Sequence, residues 1–304
     1  MLLITRRYAP AAILLALLAI APVSPVAAED VGFGFRDLPG AQLDVTYDGK
    51  TIARYMYAYD PARLQDTYKP YLHVLDAEGK QPITKGPGGQ YTHHRAIFIG
   101  FNRLSLDGKS YDLWHMSGGT QVHQKFIEQE AGREQARFTS LVHWKTKDGR
   151  TLIEEERSFL FHAVPAPALI SVDVTSTLKA IEGDIVLSGD PEHAGVQYRP
   201  ADEVDRKQTR YLFPADGNDP RKDKDLPWVA ETYVLNGEKY SVVQFNYPDN
   251  PKQTVWSAYR DYGRLGAFPK AEIAKGETIT LKYRFCVMTG DLPPREQIVK
   301  MYGP

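Results

Sequence analysis

The sequence predicts an all-β protein: a large antiparallel two-sheet β-sandwich closed by a short C-terminal helix. Three observations carry this. Turn dipeptides with glycine recur between apolar-rich runs at Asp48-Gly49, Glu78-Gly79, Asp107-Gly108, Asp148-Gly149 and Asn236-Gly237. Asp-Gly and Asn-Gly supply the positive φ angles that tight hairpins need, so neighbouring strands are expected to pair antiparallel. Apolar residues alternate with polar ones, as where Phe138, Val142 and Trp144 share one parity and Arg137, Thr139 and Lys145 the other. Finally, several runs are long (Phe126 to Lys145, Thr151 to His162) and no helical crossover separates them, which favours two stacked sheets.

The elements follow in order. Residues 1–28 read as a secretory signal peptide. Arg6 and Arg7 give a positive start, Ala11 to Ala21 an apolar stretch too short to span a bilayer, and Val26-Ala27-Ala28 a small-residue cleavage site. The expected mature chain, 29–304, is one β-sandwich domain in the periplasm or secreted. Hairpins run from "AQLDVTYDGKTIARYMYA" to "AETYVLNGEKYSVVQFNY". Between them, residues 200–228 ("PADEVDRKQTRYLFPADGNDPRKDKDLPW") are charged and interrupted by proline, and a loop of that length reads as a lid. The one good helix candidate is "PPREQIVKMY": Pro293-Pro294 can start it, and Ile298 with Met301 or Tyr302 can dock its apolar side.

Charge and composition narrow the function. Removing Arg6 and Arg7 from 37 basic residues leaves 35 against 38 acidic ones, a net of −3 without a basic cluster. No nucleic acid partner is expected, and no membrane span in the mature chain. The single cysteine, Cys286, lies in the strand pattern "LKYRFCVM", so no intramolecular disulfide forms and the thiol reads as a small buried apolar group.

Four blocks concentrate chemically capable side chains: Tyr91-Thr92-His93-His94-Arg95; "LWHMSGGTQVHQKF" with Trp114, His115 and His123; "GDPEHAGVQYRP" with Glu192, His193, Tyr198 and Arg199; and "WSAYRDYG" with Trp256, Arg260, Asp261 and Tyr262. Five of the eight histidines fall in the first three. The mixture suits sugars, whose apolar faces lie on aromatic rings and whose hydroxyl pairs accept Arg and carboxylate forks. Imidazole titrates near neutrality and serves as acid or base.

The catalytic candidates are His94, His123, Glu192 and His193. Those for substrate binding are Arg95, Trp114, Tyr198, Arg199, Arg260 and Asp261. His94 is expected in contact with substrate, with His93 behind it. His115 reads equally as a packed residue or a ligand. A divalent metal could sit at His93, His94, His123 and His193, although no zinc spacing signature is present. No nucleotide cofactor is expected, because no Gly-rich phosphate loop joins a strand to a helix, and there is no Gly-x-Ser-x-Gly elbow. In "LIEEERSF" the glutamates read as a solvated face, with Glu156-Arg157 as an alternative inward pair.

At "KPYLHVL", "YTHHRAIFIGF", "DLWH", "PEHAGVQYR" and "YRDYG" the chain resembles an exported bacterial family labelled "methane oxygenase PmoA". The label names a membrane enzyme subunit with several spanning helices, which this sequence lacks. The resemblance implies a place in carbohydrate metabolism, since members keep company with sugar oxidoreductases and glycoside-acting domains. The chain departs from the commoner form at Thr92 and Ala96, where many members have Pro and Gly. It departs again at "GAFPKAE", where many have Asn-Pro-Phe-Gly. The expected sandwich is also similar in style to the galactose-mutarotase-like superfold, whose domains work on sugars at a concave sheet face with histidine and carboxylate. The resulting expectation is a carbohydrate-active enzyme for a sugar or glycoside ligand, by epimerisation, elimination or hydrolysis. The alternatives are a non-catalytic glycan-binding module and a structural envelope protein.

Overall fold

The computed structural model describes residues 31–301 together with Leu2; the expected signal peptide and Tyr302 lie outside the described residues, Leu2 apart. The chain is an all-β sandwich. One layer is an eight-stranded antiparallel sheet, in the order Arg210–Leu212, Trp228–Leu235, Glu238–Asn246, Thr278–Thr289, Ala168–Ala180, Thr151–His162, Gln135–Thr146, Gly119–Ala131. Three four-stranded sheets face it. The first runs Phe33–Leu38, Gln42–Tyr47, Lys50–Met56, Tyr71–Val74. The second runs Ala271–Ile273, Ile185–Ser188, Arg103–Leu106, Lys109–Tyr111. The third runs Val255–Ser257, Leu265–Phe268, Ala194–Tyr198, Phe98–Phe101.

Local sequence explains the pairing. At Asp48-Gly49, Asp107-Gly108 and Asn236-Gly237 both turn residues have positive φ, which matches the right-handed twist of the flanking strands. The other two expected turns differ. At Asp148-Gly149 only the glycine is left-handed, and a longer loop leads into a register shift between Thr151 and Ile153. Glu78-Gly79 turns between isolated bridges rather than strands. The stretch Phe126 to Lys145, expected as one long strand, is divided: Gly119–Ala131 ends, and after a turn at 132–134 Gln135–Thr146 returns. Polar residues in that turn leave nothing to bury, so the chain reverses there.

The layers join through a core running from Leu43 to Val287. Cross-layer hydrogen bonds add to it: the Tyr55 hydroxyl donates to Ser140 Oγ at 3.1 Å, and Gln244 Nε2 donates to the Val196 carbonyl at 3.2 Å. The glutamate run holds an unexpected buried pair. Glu155 and Arg157, rather than Glu156 and Arg157, point inward, because residues two apart share a face of a strand. Arg157 grips Glu155 at 2.6 and 2.9 Å, and Trp144 Nε1 and Ser176 Oγ each donate to the same carboxylate at 2.7 Å.

The C-terminal helix forms at Arg295–Met301 directly after Pro293-Pro294. Ile298 is buried among Trp228, Val243, Phe245 and Met288, on the outer side of the large sheet, in the cluster that also covers Cys286. No helix among the described residues is long and apolar enough to cross a membrane.

Candidate functional site

The site forms on the third small sheet. Ile97, just before strand Phe98–Phe101, enters the main core with Ile99 and Phe101, while Phe98 faces the other way and packs with Tyr71, Ala96 and Trp114 in a separate apolar cluster. Gly100 shares that outer face. A Cβ there would lie 2.5 Å from the Leu113 carbonyl oxygen, so glycine lets the 113–114 segment cross directly over the strand. This brings His115 over the sheet. His193 arrives from the loop before strand Ala194–Tyr198, and His93 from the irregular segment before Phe98.

Three imidazoles therefore meet. Ring centres are 4.4 Å apart for His93 and His115, 4.8 Å for His115 and His193, and 6.2 Å for His93 and His193. One nitrogen from each can be chosen so that all three lie within 4.8 Å of one another, and no other group of three His, Cys, Asp or Glu residues among the described residues is arranged in this way.

Two of the rings are held by the same device. Asp112 Oδ1 accepts the backbone N–H of Trp114 and His115, and its Oδ2 lies 2.8 Å from His115 Nδ1. Asp190 Oδ1 accepts the N–H of Glu192 and lies 2.8 Å from His193 Nδ1, while its Oδ2 takes Asn102 Nδ2 at 2.8 Å. Each aspartate shapes its loop, fixes the ring and directs Nε2 away from itself. "DLWH" and "DPEH" are thus two copies of one Asp-x-x-His unit. That repeat is the sequence signal that would have placed His115 beside His193, and Asp112 and Asp190 behind them.

Burial lowers two of the three rings, His93 and His193. His93 is pushed down to about 3, first by burial and then by the neighbouring His115, Lys69, His193 and Arg264. His193 is lowered by burial, with Asp190 opposing. Neutral imidazoles offer lone pairs to a proton or a metal.

The sequence-derived candidates separate into groups. His93, expected behind His94, is the member of the pair that joins the cluster. His94 is 2% exposed and packs behind it, 5.0 Å from the Tyr91 ring and 6.3 Å from that of Tyr262. The segment is a turn rather than a strand, so neighbouring side chains diverge with the local path. His123 does not join. It sits in strand Gly119–Ala131 with Nδ1 2.6 Å from Ser140 Oγ, and its ring lies 4.5 Å from both Tyr57 and Phe126. Of the expected metal set, His93 and His193 come together, His94 and His123 stay outside, and His115 joins instead.

Glu192 stands beside the cluster but is already engaged. Arg260 and Arg264 reach its carboxylate at 2.6 and 2.5 Å, and Arg264 also donates to its carbonyl at 2.7 Å. Burial acts to raise Glu192, but the Arg260 hydrogen bond and the Arg264 charge outweigh it and hold the group at about 2. It is a fixed anion rather than a free base. Asp261 is exposed, and Arg260 turns to Glu192 instead of to it. Arg264, absent from the sequence-derived set, is the buried partner in this arrangement.

The remaining candidates hold the scaffold. Arg95 is fully buried and donates to the carbonyls of Thr92, His94 and Gln65, each at 2.7 Å, which clamps the His-His turn. Arg199 is buried 4.2 Å over the Tyr262 ring and donates to the Gly263 carbonyl. Tyr198 points into the core and shares a 2.6 Å hydrogen bond with Tyr233. Trp114 is fully buried beneath the site, its carbonyl taking Lys69 Nζ at 2.7 Å. None of these four offers an open face to a ligand.

The charged 200–228 segment is tied across this region. Pro200 bridges Thr84, Val204 bridges Leu235, and Arg210–Leu212 adds an edge strand to the large sheet. Lys85 meets Asp202 at 3.0 Å, and the Tyr211 hydroxyl donates to the Arg260 carbonyl at 2.7 Å and accepts the Arg264 N–H at 3.0 Å. The segment thereby fixes the loop that carries both arginines.

Comparison with solved structures finds distant likenesses. The chain aligns with a beta-arabinopyranosidase (TM-score 0.41, 9% identity) over 79% of its own length and 39% of that chain. It aligns with a heparinase III (TM-score 0.35, 11% identity) over 87% and 37%. Against the Slr1438 protein of Synechocystis sp. PCC 6803 (TM-score 0.38, 13% identity) the shares are 89% and 100%. The chain thus spans well under half the length of the first two. No curated protein matches it. Residues 42–302 match the family of unknown function DUF6807, and the chain belongs to that family.

Proposed function

We propose that this protein is an enzyme acting on a sugar or glycoside, with its chemistry at His93, His115 and His193. The observation that carries the reading is the convergence of three imidazoles from three separate sequence blocks, two of them backed by aspartate. A histidine whose Nδ1 is held by a carboxylate presents Nε2 as a base, and the carboxylate stabilises the imidazolium that forms. His115 and His193 have this geometry. Their role is to take a proton from a sugar carbon, hydroxyl or attacking water and return it to the leaving or epimerising centre.

The rim supports a carbohydrate. Arg260 is partly exposed, and Tyr259 lies beside it, with the two centred 5.7 Å apart. Arginine and a tyrosine ring together suit a hydroxyl pair and the apolar face of a pyranose. The buried state of Trp114, Tyr198 and Trp256 disfavours the glycan-binding module, which needs such rings on the surface.

A screen of ordinary and 3-keto glycosides tests the proposal, with wild type, His115→Ala, His193→Ala and His123→Ala compared on any substrate found. Loss of a proton-transfer residue is expected to lower kcat by about 100-fold or more. His123→Ala, away from the cluster, should stay within a few-fold of wild type. Equal turnover by all four proteins would remove the cluster from the chemistry.

A further inference from the structure

We infer that His93, His115 and His193 form a mononuclear site for a divalent transition metal, with at least one coordination position open. The inference shares its location with the proposed function but does not depend on the substrate being a sugar.

The argument begins with what the nitrogens lack. The Nδ1 atoms of His115 and His193 are engaged by Asp112 and Asp190, which leaves their Nε2 atoms for another ligand. His93 Nε2 is buried and finds no hydrogen-bond partner within the protein. A buried polar atom without a partner is costly. A cation in the cluster would give His93 Nε2 the partner that it lacks.

The geometry admits one ion. The three candidate atoms lie within 4.8 Å of one another. An equilateral triangle of that side has its centre about 2.8 Å from each corner, whereas zinc–nitrogen bonds are about 2.0–2.1 Å, so each ring needs to tilt inward by less than about 1 Å. All three histidines are partly accessible, so an ion and a ligand can enter.

The surroundings are those of a metal centre. Carboxylates holding the distal nitrogen of ligating histidines are a recurrent feature: they fix the tautomer and make the ring a better donor. Here the device occurs twice, in two loops of the same Asp-x-x-His sequence. The nearby carboxylates are all committed, Asp112 and Asp190 to rings and loop N–H groups, Glu192 to Arg260 and Arg264. The ligand set is therefore three imidazole nitrogens. Imidazoles without carboxylate or thiolate select zinc, iron, nickel or copper over magnesium and calcium. Three protein ligands leave a fourth position for water or a substrate oxygen, the arrangement of catalytic rather than structural zinc.

The test uses chelator-treated full-length mature protein, checked for folding by circular dichroism and titrated with Zn²⁺ alone by calorimetry. Co²⁺ follows by visible absorption. One equivalent of Zn²⁺ should bind, unaffected by millimolar Mg²⁺ or Ca²⁺. His115→Ala and His193→Ala should each weaken binding at least 100-fold, Asp190→Asn by about 10–100-fold, and His123→Ala not at all. Folded wild type that takes up no stoichiometric Zn²⁺ overturns the inference, and so does equal uptake by wild type, His115→Ala and His193→Ala. The two readings fail separately. Zinc bound here without turnover of any glycoside keeps the metal centre and removes the sugar. Turnover that depends on His193 in a protein that binds no stoichiometric Zn²⁺ does the reverse.

Discussion

Glu155 offers the most direct check on how the scaffold beneath the site is held. It is fully buried between the layers and accepts four hydrogen bonds: two from Arg157, one from Trp144 and one from Ser176. Arg157 in turn donates to Gln121 Oε1 at 2.8 Å and to the Pro70 carbonyl at 3.1 Å, next to Lys69 under the histidine cluster. Glu155→Ala removes the carboxylate paired with a guanidinium that is 2% exposed. The uncompensated charge costs about 3–5 kcal/mol. The donors of Trp144 and Ser176 lose their acceptor in the same step, and such terms do not add independently, so about 4 kcal/mol is the working figure. At roughly 2–4 °C per kcal/mol for a chain of this size, Tm should fall by about 8–16 °C. Replacing both partners, Glu155→Met with Arg157→Met, removes the charge along with its partner and should recover most of the loss. Thermal melts followed by circular dichroism at pH 7 read both. A single variant within about 2 °C of wild type would refute the reasoning, as would a double variant no more stable than the single one, since the cost is assigned to the stranded charge.

Two further outcomes follow from other buried groups. His73, 7% exposed and bonded to Thr84, is pushed down to about 3, chiefly by burial and then by the charge of Arg54. Its folded form is neutral while the unfolded chain protonates near 6.5, so stability is full above that pH and declines as pH falls through the window down to about 3. Between pH 7 and 4.5 this one group should remove roughly 2–3 kcal/mol, read as a steeper drop in urea midpoint for wild type than for His73→Gln; parallel midpoints in the two proteins would refute it. Ile298→Ala leaves a cavity under the C-terminal helix worth about 2–5 kcal/mol. It should speed labelling of Cys286, whose thiol burial pushes up to about 11. Thiol-reagent kinetics under native conditions measure this, and an unchanged rate would show that the helix does not cover the thiol.

Much of the sandwich was legible because its causes are local. Asp48-Gly49 or Asn236-Gly237 reverses the chain through its own φ preferences, and the parity of Phe138, Val142 and Trp144 assigns a face without reference to distant residues. The helix at Arg295–Met301 was readable from Pro294 and Ile298. The Phe126–Lys145 run was misread because its turn, Gly132-Arg133-Glu134, lacks the dipeptides that mark tight hairpins.

The site was legible only as a set of blocks. Residue type does not reveal whether Arg95 will reach a ligand or clamp the carbonyls of Thr92, His94 and Gln65, since a guanidinium does either equally well. Nor does it separate His115 from His123, which stand in one block. The first lies in a loop carried over Gly100, the second in a strand against Tyr57 and Ser140.

The sequence by itself determined the hairpins, the inward parity of the strands and the two Asp-x-x-His units, because each depends on neighbours a few residues away. Only the tertiary structure decided that His93, His115 and His193 meet, that Arg260 and Arg264 close on Glu192, and that Tyr198 and Trp114 are buried. Those outcomes depend on which strands become neighbours and where the chain crosses them, and that is fixed by packing the two layers together rather than by any segment alone.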